Sequence, residues 1–295
     1  MAPIQLLSLY DIHYYLNRPD ISNSLQSASG VHFFDSGQYE AEGFRDIWGS
    51  SHDHQQQWSE DLYVESAKNV VRPGDILVSY DDRSLNLTNQ IQQSLALFER
   101  VGVQNINRNL LLHPNGVSPD ILAESITKDA PDIDIIGLTE KDIGFPWFLA
   151  ASYIYQLRTK LDTILDHYLP IHIFGCFDPQ TIPYLFFSGA DIFDGLAWMR
   201  YYFRDGHAFY DKEFEYDTSP EILLEPAEVI RNLLAHNIEE LERLRADLRY
   251  SVLARDPTRF GKCLEKLKAF EFAASSQRNA SHRRSKLATG EKNGR

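Results

Sequence analysis

"VHFFDSGQYEA", residues 31–41, reads as a buried strand that runs straight into Asp35 and a Ser36-Gly37 turn. Asp and Gly are ordinary loop starters, so one such ending means little. The pattern recurs, however. Short apolar runs at 4–10, 31–34, 75–80, 109–113, 132–138, 171–175 and 190–194 are continuous or nearly so, as strands covered on both faces are. Helical candidates at 59–71, 84–101, 118–128, 146–168 and 178–188 lie between them. This alternation predicts an α/β fold, a (β/α)8 TIM-like barrel with C-terminal helices. Seven strands are legible, and the eighth is expected within 12–30. Nearly every run ends on a polar or glycine cluster: Asp35-Ser36-Gly37, Asp81-Asp82, His113-Pro114-Asn115-Gly116, Gly137-Leu138-Thr139-Glu140, Gly175 and Asp194-Gly195. In a barrel all these ends fall on the C-terminal face, where active sites are built. Asp35, Asp81 and Asp194 on one rim are what points to chemistry.

The 295 residues, 43% hydrophobic and 12% aromatic, are enough for one large core. Two widely separated cysteines, Cys176 and Cys263, argue against a disulfide scaffold and for a reducing compartment, here the cytoplasm. No apolar run reaches membrane-spanning length, and the first residues lack the basic region and cleavage site of a signal peptide. The net charge of −13 argues against a general nucleic-acid binder. The charge is uneven, because residues 274–295 carry six Lys/Arg and one Glu. That tail reads as a disordered basic segment, with a phosphate-touching arm as the alternative. Residues 1–273 then form the barrel unit, which includes a helical segment over about 212–273. Within it, 225–253 places Val229, Ile230, Leu233, Leu234, Ile238, Leu241, Leu244 and Leu248 at helical spacing. Pro226 suits its first turn, and a second helix is expected over 257–274.

His52, Asp53 and His54 form a polar His-x-His loop, read as solvated rather than metal-binding. Cys176 at a strand end reads as a buried small residue. The cluster "WMRYYF" (198–203) sets Arg200 among rings, which suits stacked nucleotides as well as a core. There is no G-x-S-x-G, G-x-G-x-x-G or Walker loop.

"SGADIFDGLAWMRYYFRDGHAFYD" (188–211) resembles the tRNA-guanine transglycosylase family. The match is Gly189-Ala190-Asp191-Ile192-Phe193-Asp194, then Arg200, then Asp205-Gly206-His207. Asp35-Ser36-Gly37-Gln38-Tyr39-Glu40 is similar to the family's Asp-Ser-Gly-Gly-(Tyr/Phe)-Gln. Tyr80-Asp81-Asp82 resembles its Phe-Asp-Glu, Asn115-Gly116 its Gln-Gly, and Gly137-Leu138-Thr139 its Gly-Leu-(Ala/Ser), with Asp142 in the Glu place. His236-Asn237 resembles its late His-Asn helix. The motifs keep their order over roughly 31–250. The resemblance implies base exchange on a flipped-out guanine. By that resemblance Asp194 would be the nucleophile at the sugar C1′ and Asp35 the proton carrier, as in retaining glycosidases. It likewise implies that Tyr39 would stack on the purine, that Asp81, Asn115 and the Gly137-Leu138 backbone would read its edge, and that Arg200 would hold a neighbouring nucleotide. The implied partners are a nucleic acid and a 7-deazaguanine, and family members often dimerise.

The chain also departs from the family. Its zinc site is Cys-x-Cys-x2-Cys plus the late His, yet 212–226 contains no cysteine. With His236 alone, no zinc or other cofactor is expected, and His236 reads as a helix residue meeting a hydrogen bond. Gln38 replaces a glycine and Glu40 a glutamine. The expectation is a zinc-less base exchanger acting on tRNA or DNA. The alternatives are a non-catalytic partner subunit and a base-removing glycosidase.

Overall fold

The computed structural model describes residues 4–14, 30–41, 57–217 and 225–269. In chain order the elements are β1 (Ile4–Ser8), α1 (Leu9–Tyr14), β2 (Val31–Asp35), α2 (Gln38–Ala41), α3 (Glu60–Val70), β3 (Ile76–Val78) and α4 (Leu87–Val101). Then come β4 (Asn107–Leu112), α5 (Pro119–Asp129), β5 (Ile135–Thr139), α6 (Glu140–Ile143), α7 (Trp147–Ile164), β6 (Ile171–Phe174), α8 (Thr181–Phe187) and β7 (Ile192–Phe193). A 3-10 turn (Ala197–Met199) leads to β8 (Tyr201–Arg204), β9 (His207–Tyr210), α9 (Glu213–Asp217) and α10 (Pro226–Leu253). After a second 3-10 turn (Thr258–Phe260), residues 261–269 form α11.

Strands β1 to β7 make one parallel sheet in sequential order. Register assigns alternate residues to the two faces. Leu110, Leu112, Ile136, Leu138, Ile171 and Ile173 join the large core under the helices. The opposite face is also apolar. Phe33, Ile76 and Ile135 cluster with Ile192, and Val78, Leu111 and Phe174 form a second layer. The rings of Phe33 on β2 and His172 on β6 are 5.6 Å apart, although β3, β4 and β5 lie between those strands. Only a sheet curled on itself brings them together. The result is a half-barrel with a filled interior.

Among the described residues no strand closes the sheet between β7 and β1, so the closed eight-stranded barrel expected from sequence is not seen. Residues 12–14 are helical rather than extended, and 15–29 fall outside the described residues. The 4–10 run is likewise not all strand. Ser8 Oγ accepts the Asp11 N–H at 3.3 Å, the contact that starts a helix, and Leu9, Tyr10 and Ile12 turn inward. His52, Asp53, His54 and the tail 274–295 also lie outside the described residues.

The antiparallel β8–β9 hairpin was not expected. It turns on Asp205 (φ 50°) and Gly206 (φ 75°), the Asp-Gly pair that fits a primed hairpin turn. Fully buried Asn237 of α10 fastens it. Its Oδ1 accepts the Phe203 N–H at 2.8 Å, and its Nδ2 donates to the carbonyls of Trp198 (2.7 Å) and Tyr201 (2.6 Å).

Candidate active site at the C-terminal mouth

Asp194 follows β7 and lies on the interior side of the sheet, in step with Ile192. Its Oδ1 accepts the Gly175 N–H at 3.1 Å, and His172 Nε2 is 3.5 Å from the same oxygen. Among the described residues Oδ2 takes no hydrogen bond. Two glycines make this possible. Gly175 has φ +77° and Gly195 φ +150°, and a Cβ on Gly195 would come within 3.0 Å of the Gly175 carbonyl carbon and of Phe177 Cβ. The carboxylate is thus anchored through one oxygen with the other available, the arrangement a nucleophile needs.

The His172 ring, 1% exposed at its side chain, sits inside the curled sheet. Asn109 Nδ2 donates to its Nδ1 at 2.9 Å, which leaves the ring proton on Nε2, facing Asp194. Asn109 Oδ1 and His172 Nε2 are buried without a hydrogen-bond partner among the described residues. Sequence reasoning missed both residues. The available signal was a polar side chain at an inward position of "NRNLLL" and of "IHIF".

Asp35 ends β2 on the same inward phase as Phe33 and is half-buried. Its Oδ2 accepts the Gly37 N–H at 3.5 Å. Gly37 cannot carry a side chain: φ is +77°, and a Cβ would meet Tyr10 Cβ at 2.5 Å. Trp58 Nε1 donates to the Ser36 carbonyl at 2.9 Å and holds the turn. Tyr39, on α2, accepts from Arg200 Nη2 at 3.3 Å. This bond joins the segment four residues past Asp35 to the segment six residues past Asp194. The predicted residues Asp35, Tyr39, Asp194 and Arg200 therefore belong to one mouth.

Asp81 is otherwise engaged. It is 9% exposed, and its Oδ1 is 2.5 Å from His113 Nε2. Arg83 Nε lies 3.8 Å from its Oδ2. The other nitrogen of His113 bonds Asp142, which also accepts from Thr139 Oγ1 at 2.6 Å. Burial alone would lower the His113 pKa, but the bonds to Asp142 and Asp81 and their charges outweigh it and raise it to about 9. Burial pulls Asp142 the other way, and the bonds from His113 and Thr139 prevail, holding its carboxyl below the usual range. The mouth thus contains a carboxylate–imidazolium–carboxylate bridge, buried at His113 and Asp81 and partly exposed at Asp142, that spans three βα loops.

Asn115 (φ 51°) and Gly116 (φ 85°) form an exposed turn after β4. Gly137 and Leu138 stand inside the sheet. Each is registered against β4 on one side and β6 on the other, and the Leu138 side chain points into the helix-covered core. Gly137 is a glycine for space: a Cβ would meet Phe174 Cε2 at 2.7 Å and Asn109 Oδ1 at 2.8 Å.

Donor atoms of Glu140, Cys176 and Asp178 lie within 4.8 Å of one another. Burial first, then the charges of Glu140, Asp178 and Asp194, push the Cys176 thiol far up, and burial raises Glu140. His236 Nε2 donates to the Phe203 carbonyl at 2.7 Å and packs against Tyr202 and Phe214. With that nitrogen engaged and no cysteine nearby in sequence, these residues do not fit the family's zinc. Among the described residues no helix is long and apolar enough to cross a membrane. No protein-family model and no curated protein matches this chain.

Proposed function

We propose that the protein is a zinc-less guanine transglycosylase-like enzyme, exchanging a guanine in tRNA or DNA for a 7-deazaguanine. The observation that supports this most is the carboxylate pair. Asp194 is anchored by Gly175 N–H through Oδ1, with no hydrogen bond to Oδ2 among the described residues, and Asp35 enters the same mouth, tied to it through the Tyr39–Arg200 contact. Two inward carboxylates, one immobilised, suit a double displacement with retention.

In this reading Asp194 Oδ2 bonds to C1′ as the C1′–N9 bond breaks, and the electron pair leaves with the purine. Asp35 delivers the proton that the departing base takes up. The incoming base then loses its N9 proton to Asp35, and its freed pair displaces Asp194 from C1′. Tyr39 stacks on the purine and Arg200 holds a neighbouring nucleotide. Asp81 meets the base edge through Oδ2, since His113 occupies Oδ1, and Asn115 completes that edge. The half-barrel is read as the greater part of a (β/α)8 barrel, and the compartment as the cytoplasm, in keeping with two free cysteines.

The test is covalent trapping. Full-length protein is mixed separately with guanine-containing tRNA and DNA plus a 7-deazaguanine, then denatured. A protein–polymer adduct that Asp194→Ala abolishes is expected with one polymer, which also identifies the substrate. Release of guanine without incorporation would point to a base-removing glycosidase. Absence of both with folded protein would overturn the enzyme reading in favour of a non-catalytic subunit.

A further inference from the structure

A groove of about 880 Å³ opens beside the mouth, between the loop after β6, α8, the β8–β9 turn and α11. We infer that it binds the single-stranded backbone of a nucleic acid whose target nucleotide occupies the mouth. The identity of the polyanion rests on the base-exchange reading, but the groove's own chemistry points the same way.

Charge is the first argument. Arg259, Lys262 and Lys266 line the groove against one carboxylate, Glu265. They are spaced three and four residues apart and so stand on one side of the 3-10 turn and α11. Arg259 is paired with Asp247. Lys262 and Lys266 make no ion pair among the described residues, and both are exposed. On a chain with net charge −13, two such lysines one helical turn apart are a local excess of positive charge. They mark where an anion fits.

Aromatic surface is the second. Trp147 and Tyr184 stack along the opposite wall, centroids 4.0 Å apart, and Lys266 Nζ lies 6.0 Å from the Tyr184 centroid. Phe145, two residues before Trp147, is 91% exposed. Cations facing flat rings are the elements of sequence-tolerant single-strand binding.

Continuity is the third. Gly175, whose N–H holds Asp194, begins the loop that reaches the groove at Pro179 and Gln180. Gln180 Nε2 bonds His207 Nδ1 at 2.8 Å and ties that loop to the β8–β9 turn. A strand leaving the mouth over this loop enters the groove. Beyond α11 the chain runs on into residues 274–295, with their six Lys/Arg.

The test uses full-length protein and a fluorescein-labelled oligothymidine of about 16 nucleotides, the upper site size of single-strand binding folds. Anisotropy titrations at several salt concentrations compare wild type, Lys262→Gln/Lys266→Gln, and Lys68→Gln on α3. The double variant should bind roughly ten-fold more weakly at low salt. Its log K against log salt slope should be shallower by about 1.4, for two lost phosphate contacts. Lys68→Gln should match wild type. An unchanged slope in the double variant, no binding by wild type, or equal displacement by polyglutamate would overturn the groove. Trapping reports separately. An adduct with an unchanged slope keeps base exchange and removes the groove. A reduced slope with no adduct keeps the groove and removes base exchange.

Discussion

Replacing Asp194 by Asn keeps an oxygen to accept the Gly175 N–H but removes the charge that attacks C1′. Asp194→Asn should therefore hold its denaturation midpoint, within about 0.5 kcal/mol, and form no adduct. A variant that unfolds instead would mean the charge is structural. His113 makes the opposite case, because its charge is committed to the fold. Its pKa is about 9 folded and about 6.5 unfolded. Its contribution is complete below about pH 6.5, declines as pH rises, and is gone above about 9. For a side chain 2% exposed this amounts to at most about 3 kcal/mol. Asp142, held below its usual pKa, contributes in the other direction: its share is lost as the solution becomes acid. Urea titrations should show stability falling from pH 6.5 to 9 in wild type. In His113→Phe it should stay flat over that range and lie lower at pH 6, by about 3–5 kcal/mol, since Asp81 is left buried with Arg83 its one remaining ion partner among the described residues. A wild-type profile as flat as the variant's would refute the bridge.

Among the elements, β5 has no room for added volume at Gly137. Gly137→Ala would press a methyl against Phe174, Asn109 and the Leu111 backbone, at a cost of about 1–3 kcal/mol. A denaturation midpoint equal to wild type would mean the interior has slack. The strands and helices on either side were legible from sequence because their apolar runs and helical spacing are local. So was the C-terminal helix: Pro226–Leu253 begins and ends where its pattern does. The hairpin was not, although Asp205-Gly206 signals it, because "YYFR" and "HAFY" are short and flank a motif read for chemistry. The site divides along the same line. Asp35 and Asp194 each close an apolar run and could be found one at a time. The His113 bridge takes a residue from each of three loops, and the His172–Asn109 pair one from each of two strands. Those partners meet only once the strands pair into the sheet, so no window of sequence contains them. Gly137 and Leu138 were read as a site edge, but pairing on both sides of β5 absorbs them into the sheet.

For the whole molecule the question is whether the C-terminal part stands on its own. The large core answers through its membership. Leu110, Ile136 and Ile173 of the sheet share it with Ile182 and Leu185 of α8, and with Phe203, Leu241 and Leu248 from the hairpin and α10. A separate cluster under α3 and α4 holds Leu9, Phe34, Tyr63 and Phe98, and Leu95 touches both clusters. Continuous packing of this kind unfolds cooperatively. Far-UV circular dichroism, dominated by the helices, should therefore lose signal at the same urea concentration as tryptophan fluorescence. Trp58 reports on the smaller cluster, and Trp147 and Trp198 on the larger. An earlier transition seen only by dichroism would instead make α10 and α11 an independent unit. The consequence extends to the chemistry. Asn237 of α10 accepts from Phe203 and donates to the Trp198 carbonyl, so the C-terminal helix steadies the segment leaving Asp194. Asn237→Ala strands those groups at a cost on the order of 3 kcal/mol. If the C-terminal helix shapes the mouth, this variant should lose adduct formation even at temperatures where it stays folded. Full trapping by folded Asn237→Ala would show that the sheet alone positions the nucleophile.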